Sequence, residues 1–301
     1  MELQEATLSS DSMSPSISMV VPALNEGGEL ARTVANLRAT LPEQSEIIVV
    51  DDGSTDACAD SLQQDHVLRV ISGRRLGSAS ARNVGAQHAR GDVIIFSDAH
   101  VSAPEHWWVP ICESLRDPAV GAVAPVISVM GSESSKGYGM RWKGPDFGIE
   151  WLPPEQGAPH SIGLAPGCML AMRREVFRET GGFDDGMKLW GMEDSELSLR
   201  LWLLGYELKL IPTVEVAHLF RQKHPYTIGW TCVIHNMLRT AFCHFKAERI
   251  ERVVQTLKGY RDFAAAMAIL AVSDVQSRRQ FLDSRRRRSD DWFFERFPMN
   301  I

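Results

Sequence analysis

What the 301-residue chain lacks narrows it first. Cysteine is scarce: Cys58, Cys112, Cys168, Cys232 and Cys243 are an odd number and form neither a CxxC pair nor a zinc-like cluster. This argues against a disulfide framework or a structural zinc site and fits free thiols in a reducing compartment. No window approaches the length of a membrane-spanning helix. The polar, acidic start (Glu2, Glu5, Asp11) lacks the basic end and apolar core of a signal peptide. The expectation is a cytoplasmic protein without a transmembrane anchor. Positive charge is not in excess either, and a net charge of −6 gives no global attraction to nucleic acid, so no such partner is expected. There is no GxGxxG and no GxxxxGK followed by Ser or Thr, which disfavours a dinucleotide fold and a P-loop NTPase.

What is present is an alternation of short apolar runs and amphipathic stretches, long enough for one large α/β domain and an appendage. Residues 1–15, rich in Ser and closed by Pro15, read as a disordered leader. Ser16 to Val21 is β-prone, and Leu30, Val34, Leu37 and Leu41 recur at helical spacing after it. Ile47 to Val50, Val67 to Ile71 and Val93 to Phe96 are further strands, with a small-residue helix around Ala81 to Ala86. Such alternation implies right-handed crossovers and a doubly wound sheet. Val120 to Met130 is strand-like, and Gly131 to Pro159 shows weak periodicity, which predicts a long, partly mobile insertion. A strand, Ala165 to Met172, precedes a helix from Arg173 to Thr180, stopped by Gly181-Gly182. A second acidic loop then opens a helix carrying Leu197, Leu201 and Leu204. Leu208 to Pro212 reads as a further strand, and Val214 to Phe220 brings His218 back toward the sheet edge. From Tyr226 onward, 226–301, the chain reads as a helical extension. Within it, Arg285 to Arg288 is most simply a solvated helix end. The aromatic Trp292 to Phe297 is expected to dock on the body of the protein or on a second subunit, as in a homodimer.

The organising stretch is Phe96-Ser97-Asp98-Ala99-His100, an apolar strand that ends in a carboxylate and an imidazole two residues apart. An oxygen and a nitrogen donor at a strand's carboxyl end suit a divalent cation, and open α/β sheets bind ligands at that edge. The plainer alternative is a turn-capping Asp98 and a surface His100. The same edge would gather Asn25, Glu26, Asp51 and Asp52, acids that repel one another unless a cation or a ligand's hydrogen-bond donors offset them. Glu193, Asp194 and Glu196 sit at a helix N-terminus, where capping alone also accounts for acids.

Taken in order, Val21-Pro22-x-x-Asn25-Glu26, Val49-Val50-Asp51-Asp52-Gly53-Ser54-Thr55-Asp56, Ala81-Arg82-Asn83-x-Gly85, Asp98-x-His100 and Gly181-Gly182-Phe183-Asp184 before Glu193-Asp194 resemble the GT-A fold nucleotide-sugar glycosyltransferases of family 2. Asp-x-His, Trp190-Gly191-x-Glu193, and His218-Leu219-Phe220-Arg221 before Pro225-Tyr226-Thr227 look like the polypeptide N-acetylgalactosaminyltransferases. Asn236 with Arg239 is similar to that family's helix after the loop. The resemblance covers about residues 16 to 250. It implies a GT-A domain, 16–225, that moves a hexosyl or N-acetylhexosaminyl group from a UDP-sugar to a hydroxyl or thiol of a peptide or small natural product.

By that likeness Asp98, His100 and His218 ligate Mn²⁺ (or Mg²⁺), which would stabilise the departing diphosphate. Pro22, Asn25, Glu26 and Asp52 match uridine-contacting positions, and Arg82 and Arg221 match positions suited to the diphosphate, although a surface ion pair is the alternative for Arg82. Tyr226 lies in a lid-like loop, and Trp190 faces donor sugar or acceptor, with core burial as its rival. Asp194 matches the general base of inverting family 2 enzymes, whereas retaining N-acetylgalactosaminyltransferases have Asn there; Glu193 would hold donor-sugar hydroxyls. The stereochemical outcome stays open. So do two rival functions, a non-catalytic nucleotide-sugar-binding scaffold and a nucleotidyltransferase.

Overall fold

The computed structural model describes residues 15–132, 134–155, 157–299 and 301, so the expected leader lies outside them except for its last position. The chain opens β1 (Ile17–Ala23), α1 (Gly28–Thr40), β2 (Glu46–Asp51), β3 (Leu68–Ser72), α2 (Ser78–His88) and β4 (Val93–Ser97). Next come β5 (Val101–Ser102), α3 (Trp108–Ser114), β6 (Val120–Val129) and three short strands, β7 (Lys136–Gly137), β8 (Met140–Trp142) and β9 (Ile149–Trp151). Then follow β10 (His160–Ser161), β11 (Met169–Arg173), α4 (Arg174–Thr180), α5 (Glu193–Leu203) and β12 (Glu207–His218). Five helices complete the chain: α6 (Trp230–His244), α7 (Ala247–Leu257), α8 (Phe263–Ala271), α9 (Val275–Asp283) and α10 (Asp290–Arg296).

The main sheet runs β10-β12-β6-β11-β4-β1-β2-β3. Strands β3, β2, β1 and β4 are parallel, while β11 is antiparallel to both β4 and β6, so the sheet is mixed. Continuous apolar runs fit strands covered on both faces. Met19, Ile47, Val49 and Ile95 face α1 and α3, whereas Val20, Ile48, Val50 and Phe96 face α2 and the later helices. That second face also holds Leu238, Phe245, Leu257 and Phe293, so 226–301 shares the core of the sheet. Among the described residues no helix is long and apolar enough to cross a membrane. All five thiols are free.

Three expectations are revised, and a fourth is decided between its two alternatives. The segment from Gly131 to Pro159 contains ordered short strands, held by Trp142, whose ring meets Phe147, Phe245, Phe293 and Phe294. Strands of two or three residues are too short to show a period. The strand expected to end at Pro212 runs on as β12 to His218, with a register shift between Ile211 and Glu215. Proline cannot donate to the ladder, and the irregularity absorbs it. The arginine run is only partly a solvated helix end: Arg285 and Arg287 are exposed, yet the run also serves other helices. Arg285 donates to Glu179 O, Arg286 to Cys243 O and His244 O, and Arg288 to Trp202 O and Tyr206 O, satisfying carbonyls where α4, α5 and α6 end. Finally, the terminal aromatics dock on the chain's own body: Phe293 is fully buried and the Trp292 ring lies tilted against Trp202, centroids 5.8 Å apart.

Candidate active site

A cleft of about 510 Å³ opens along the carboxyl ends of β1, β2 and β4 and the end of β12. Asp98 follows β4 directly, and its N–H donates to Cys168 O (3.0 Å) just before antiparallel β11 begins. His218 closes β12, paired with Val101 of β5, and Leu219 N–H donates to His100 O (3.0 Å). This backbone pairing sets the two imidazoles side by side, centroids 4.8 Å apart. One ligand atom from each of Asp98, His100 and His218 lies within 4.8 Å of the others.

The charges around this triad are arranged in pairs. Asp98 Oδ1 accepts from Arg82 Nη2 (2.9 Å), and Oδ2 meets His218 Nε2 (3.1 Å). His100 Nδ1 meets Glu26 Oε2 (2.9 Å). Burial works to raise the Asp98 pKa, but the His218 hydrogen bond and the Arg82 charge outweigh it and hold the carboxyl well below the usual range. Burial opposes charge on His100 as well, yet its Glu26 hydrogen bond and the nearby Asp98 raise its pKa.

The second acidic group comes from the N-terminus of α5. Gly191 and Met192 both take positive φ, turning the chain sharply so that Glu193 and Asp194 face the cleft. Glu193 Oε1 accepts from Arg82 Nη1 (2.8 Å), so one buried guanidinium bridges Glu193 and Asp98. Asp194 Oδ2 accepts from Gly167 N–H (3.0 Å), and Oδ1 from Ser195 N–H (2.7 Å). A Cβ on Gly167 would sit 2.9 Å from that of Asp194, so the close approach requires glycine. Burial and the adjacent Glu193 push the Asp194 pKa up to about 6, only partly offset by the amide of Gly167.

Pro22, Glu26, Asp52, Arg82, Asp98, His100, Trp190, Glu193, Asp194, His218, Arg221 and Tyr226 all line this cleft; Asn25 does not. Asn25 instead clamps two loops, its Oδ1 accepting from Thr55 N–H (2.7 Å) and its N–H donating to Ser54 Oγ (3.0 Å). Asp51 is also turned to its own loop, accepting from Ser54 N–H (2.9 Å). Asp52, matched to uridine, already accepts from Leu76 N–H (2.5 Å) and Gly77 N–H (2.8 Å). Arg82 and Arg221, matched to the diphosphate, are paired with protein acids, Arg221 with Glu26 Oε2 (2.7 Å). Trp190 is half-buried on the cleft wall rather than in the core, its ring against His224 at 5.0 Å. The loop of 219–229 also lines the cleft, and burial pushes the Tyr226 phenol up to about 12.

Sequence reasoning gave no role to two supports. Gly167 is one, read in the sequence only as part of the strand segment Ala165 to Met172. Asn236 on α6 is the other: its Oδ1 accepts from Lys188 N–H (2.7 Å) and its Nδ2 donates to Lys188 O and Gly191 O (both 2.9 Å), fixing the Trp190 loop.

Comparison with known proteins identifies the family. The model of glycosyl transferase family 2 matches residues 18–181, more than half of the chain. The chain belongs to glycosyl transferase family 2. A second model, described as the N-terminal domain of galactosyltransferase, matches residues 162–225, which carry Glu193, Asp194 and His218. Among curated relatives of this family 2 chain, polypeptide N-acetylgalactosaminyltransferase 8 of Drosophila melanogaster is 35% identical over 69% of the chain and 38% of its own length. Polypeptide N-acetylgalactosaminyltransferase 11 of Xenopus tropicalis is 32% identical over 75% of the chain and 42% of its own length. The chain thus spans well under half of these relatives. A crystal structure of GalNAc-T7 with UDP, GalNAc and Mn²⁺ superposes with a TM-score of 0.76 at 23% identity, covering 95% of this chain and 57% of that one. The fold is GT-A.

Proposed function

We propose that this chain is a divalent-cation-dependent glycosyltransferase that moves an N-acetylhexosaminyl or hexosyl group from a UDP-sugar to a hydroxyl of a peptide. The observation that carries the reading is the convergence of Asp98, His100 and His218 in the cleft that also holds Glu193 and Asp194. The donor set fits Mn²⁺: one carboxylate oxygen and two imidazoles, each imidazole keeping one nitrogen without a partner among the described residues. The names of the relatives support N-acetylgalactosamine and a polypeptide.

A cation bound there would offset the charge that develops on the departing diphosphate. The chain's own residues do the rest. Arg82 holds Asp98 and Glu193 in fixed relation, and Glu193, whose Oε2 has no protein donor among the described residues, faces the donor sugar. Asp194, with its pKa near 6, takes the proton from the acceptor hydroxyl as the glycosyl bond forms. The loop bearing Arg221 and Tyr226 covers the donor and excludes water. A base at Asp194 favours direct displacement and inversion at the anomeric carbon.

The test is a panel of sugar nucleotides with Mn²⁺ and a Ser/Thr peptide, reading UDP release and product mass, with NMR of the anomeric configuration. His218→Ala should remove turnover. Turnover unchanged in that variant would end the cation reading, pyrophosphate release from a nucleoside triphosphate would favour a nucleotidyltransferase, and a retained anomeric configuration would remove Asp194 as base.

A further inference from the structure

We infer that Glu26 is a positioning residue that holds the His100 imidazole for a cation and at the same time couples that site to the Arg221 loop. The inference rests on the cation site proposed above and deepens it. One oxygen, Oε2 of Glu26, serves both partners: it lies 2.9 Å from His100 Nδ1 and accepts from Arg221 Nη2 at 2.7 Å. The carboxylate is only 8% exposed, so water does not stand in for either partner.

Its own backbone is held unusually well for a loop. Asn25 and Gly27, on either side of Glu26, both have φ near 56°. Asn25 is bonded to Ser54 and Thr55, and Gly27 N–H donates to Asp56 Oδ2 (2.8 Å). Ser54 to Asp56 therefore form a brace for the residue that braces His100. This gives a physical role to a run of residues that do not themselves line the cleft.

An imidazole whose Nδ1–H donates to a carboxylate is fixed in tautomer and orientation and keeps Nε2 as a bare, more basic donor for a metal. Arg221 draws on the same oxygen from the loop of 219–229 across the cleft. An anionic diphosphate entering the cleft competes with Glu26 for the guanidinium, and each Arg221 contact given up leaves Glu26 Oε2 to His100 alone. Binding of the anion and strengthening of the cation site are then linked, and the linkage is reciprocal.

The experiment measures Mn²⁺ binding to the full chain by electron paramagnetic resonance, without nucleotide, with thermal melting in EDTA as a check on folding. Glu26→Gln should weaken Mn²⁺ by about ten- to a hundredfold with little change in melting, as for loss of other outer-shell partners of metal-bound histidine. Arg221→Met should leave Mn²⁺ binding equal or tighter, because it removes a competing positive charge. Mn²⁺ affinity in Glu26→Gln within about threefold of the unmodified chain, or weakening by Arg221→Met as large as that by Glu26→Gln, overturns the inference while leaving the cation site standing. Asp98→Asn separates the two: if it does not weaken Mn²⁺, or if the unmodified chain binds none, the cation reading fails and this inference with it.

Discussion

Asp194 and Glu196 lie two residues apart on the first turn of α5 and have opposite fates. About 200° of helical rotation separates them, so one faces the cleft and the other the core. Glu196 is fully buried; Arg200 Nε and Nη2 donate to its two oxygens (2.8 and 2.9 Å), and His244 Nε2 meets Oε1 at 2.8 Å. Burial works to raise its pKa, but the Arg200 charge and the His244 bond outweigh it and hold the carboxyl far below the usual range. Arg200 is itself satisfied by Thr180 O and Gly182 O. Among the described residues Asp194 hydrogen-bonds only to backbone amides and a neighbouring hydroxyl, with Glu193 beside it, and burial pushes its pKa the other way, to about 6. The core and the cleft thus use the same residue types. What separates structure from chemistry is whether a cation saturates the acid and whether the remaining valence opens on a cavity.

The largest effect should come from Asp194→Asn, which removes the acid but keeps its shape. Turnover should fall by about 10²–10⁴-fold, and in the unmodified chain kcat should rise with pH through about 6 and level off above it. A folded pKa above the unfolded one means that folding favours the protonated form, so Asp194 costs stability above pH 6. The Asn variant should melt higher there, and a variant that loses activity without melting higher would weaken the contrast.

Glu196→Ala should cost about 3–5 kcal/mol, because it leaves Arg200 and His244 buried without their acid, while kcat of the folded fraction stays near that of the parent. The pH dependence has the opposite sign. The Glu196 contribution is present at neutral pH and is lost on acidification below the ordinary carboxylate range, as urea melts across pH would reveal. Mn²⁺ at a hundred times its Kd should then stabilise the parent by about 2.7 kcal/mol and Glu196→Gln equally, but not His218→Ala, as differential scanning fluorimetry would report. Asn236→Ala should give the smallest effect, about 1–3 kcal/mol of stability, with a shift in Trp190 fluorescence as the loop it holds loosens.

Much of this was legible in the chain. The strand endings at Asp98 and His100 and the helix opening at Glu193 follow from apolar runs that stop abruptly at acids, and they stand where the sequence places them. Short strands of two or three residues left no periodic trace, so the region around Trp142 read as loose. The arginine run read as solvated because helix carbonyls, its actual partners, carry no signal in sequence. Partner choice was the main loss at the site: Asp52, Arg82 and Arg221 have the charges a nucleotide would want, but each already meets a protein group.

By itself, the sequence determined the alternation of elements, the family and the identity of the acids and imidazoles, because these depend on local period and on residue types in fixed order. Only the tertiary structure decided that His218 stands beside His100, that Glu26 meets both His100 and Arg221, and that Asp194 faces the cleft while Glu196 faces the core. Those are pairings between residues far apart in the chain, or choices between helix faces, and they are set by strand register and by which charges burial forces together.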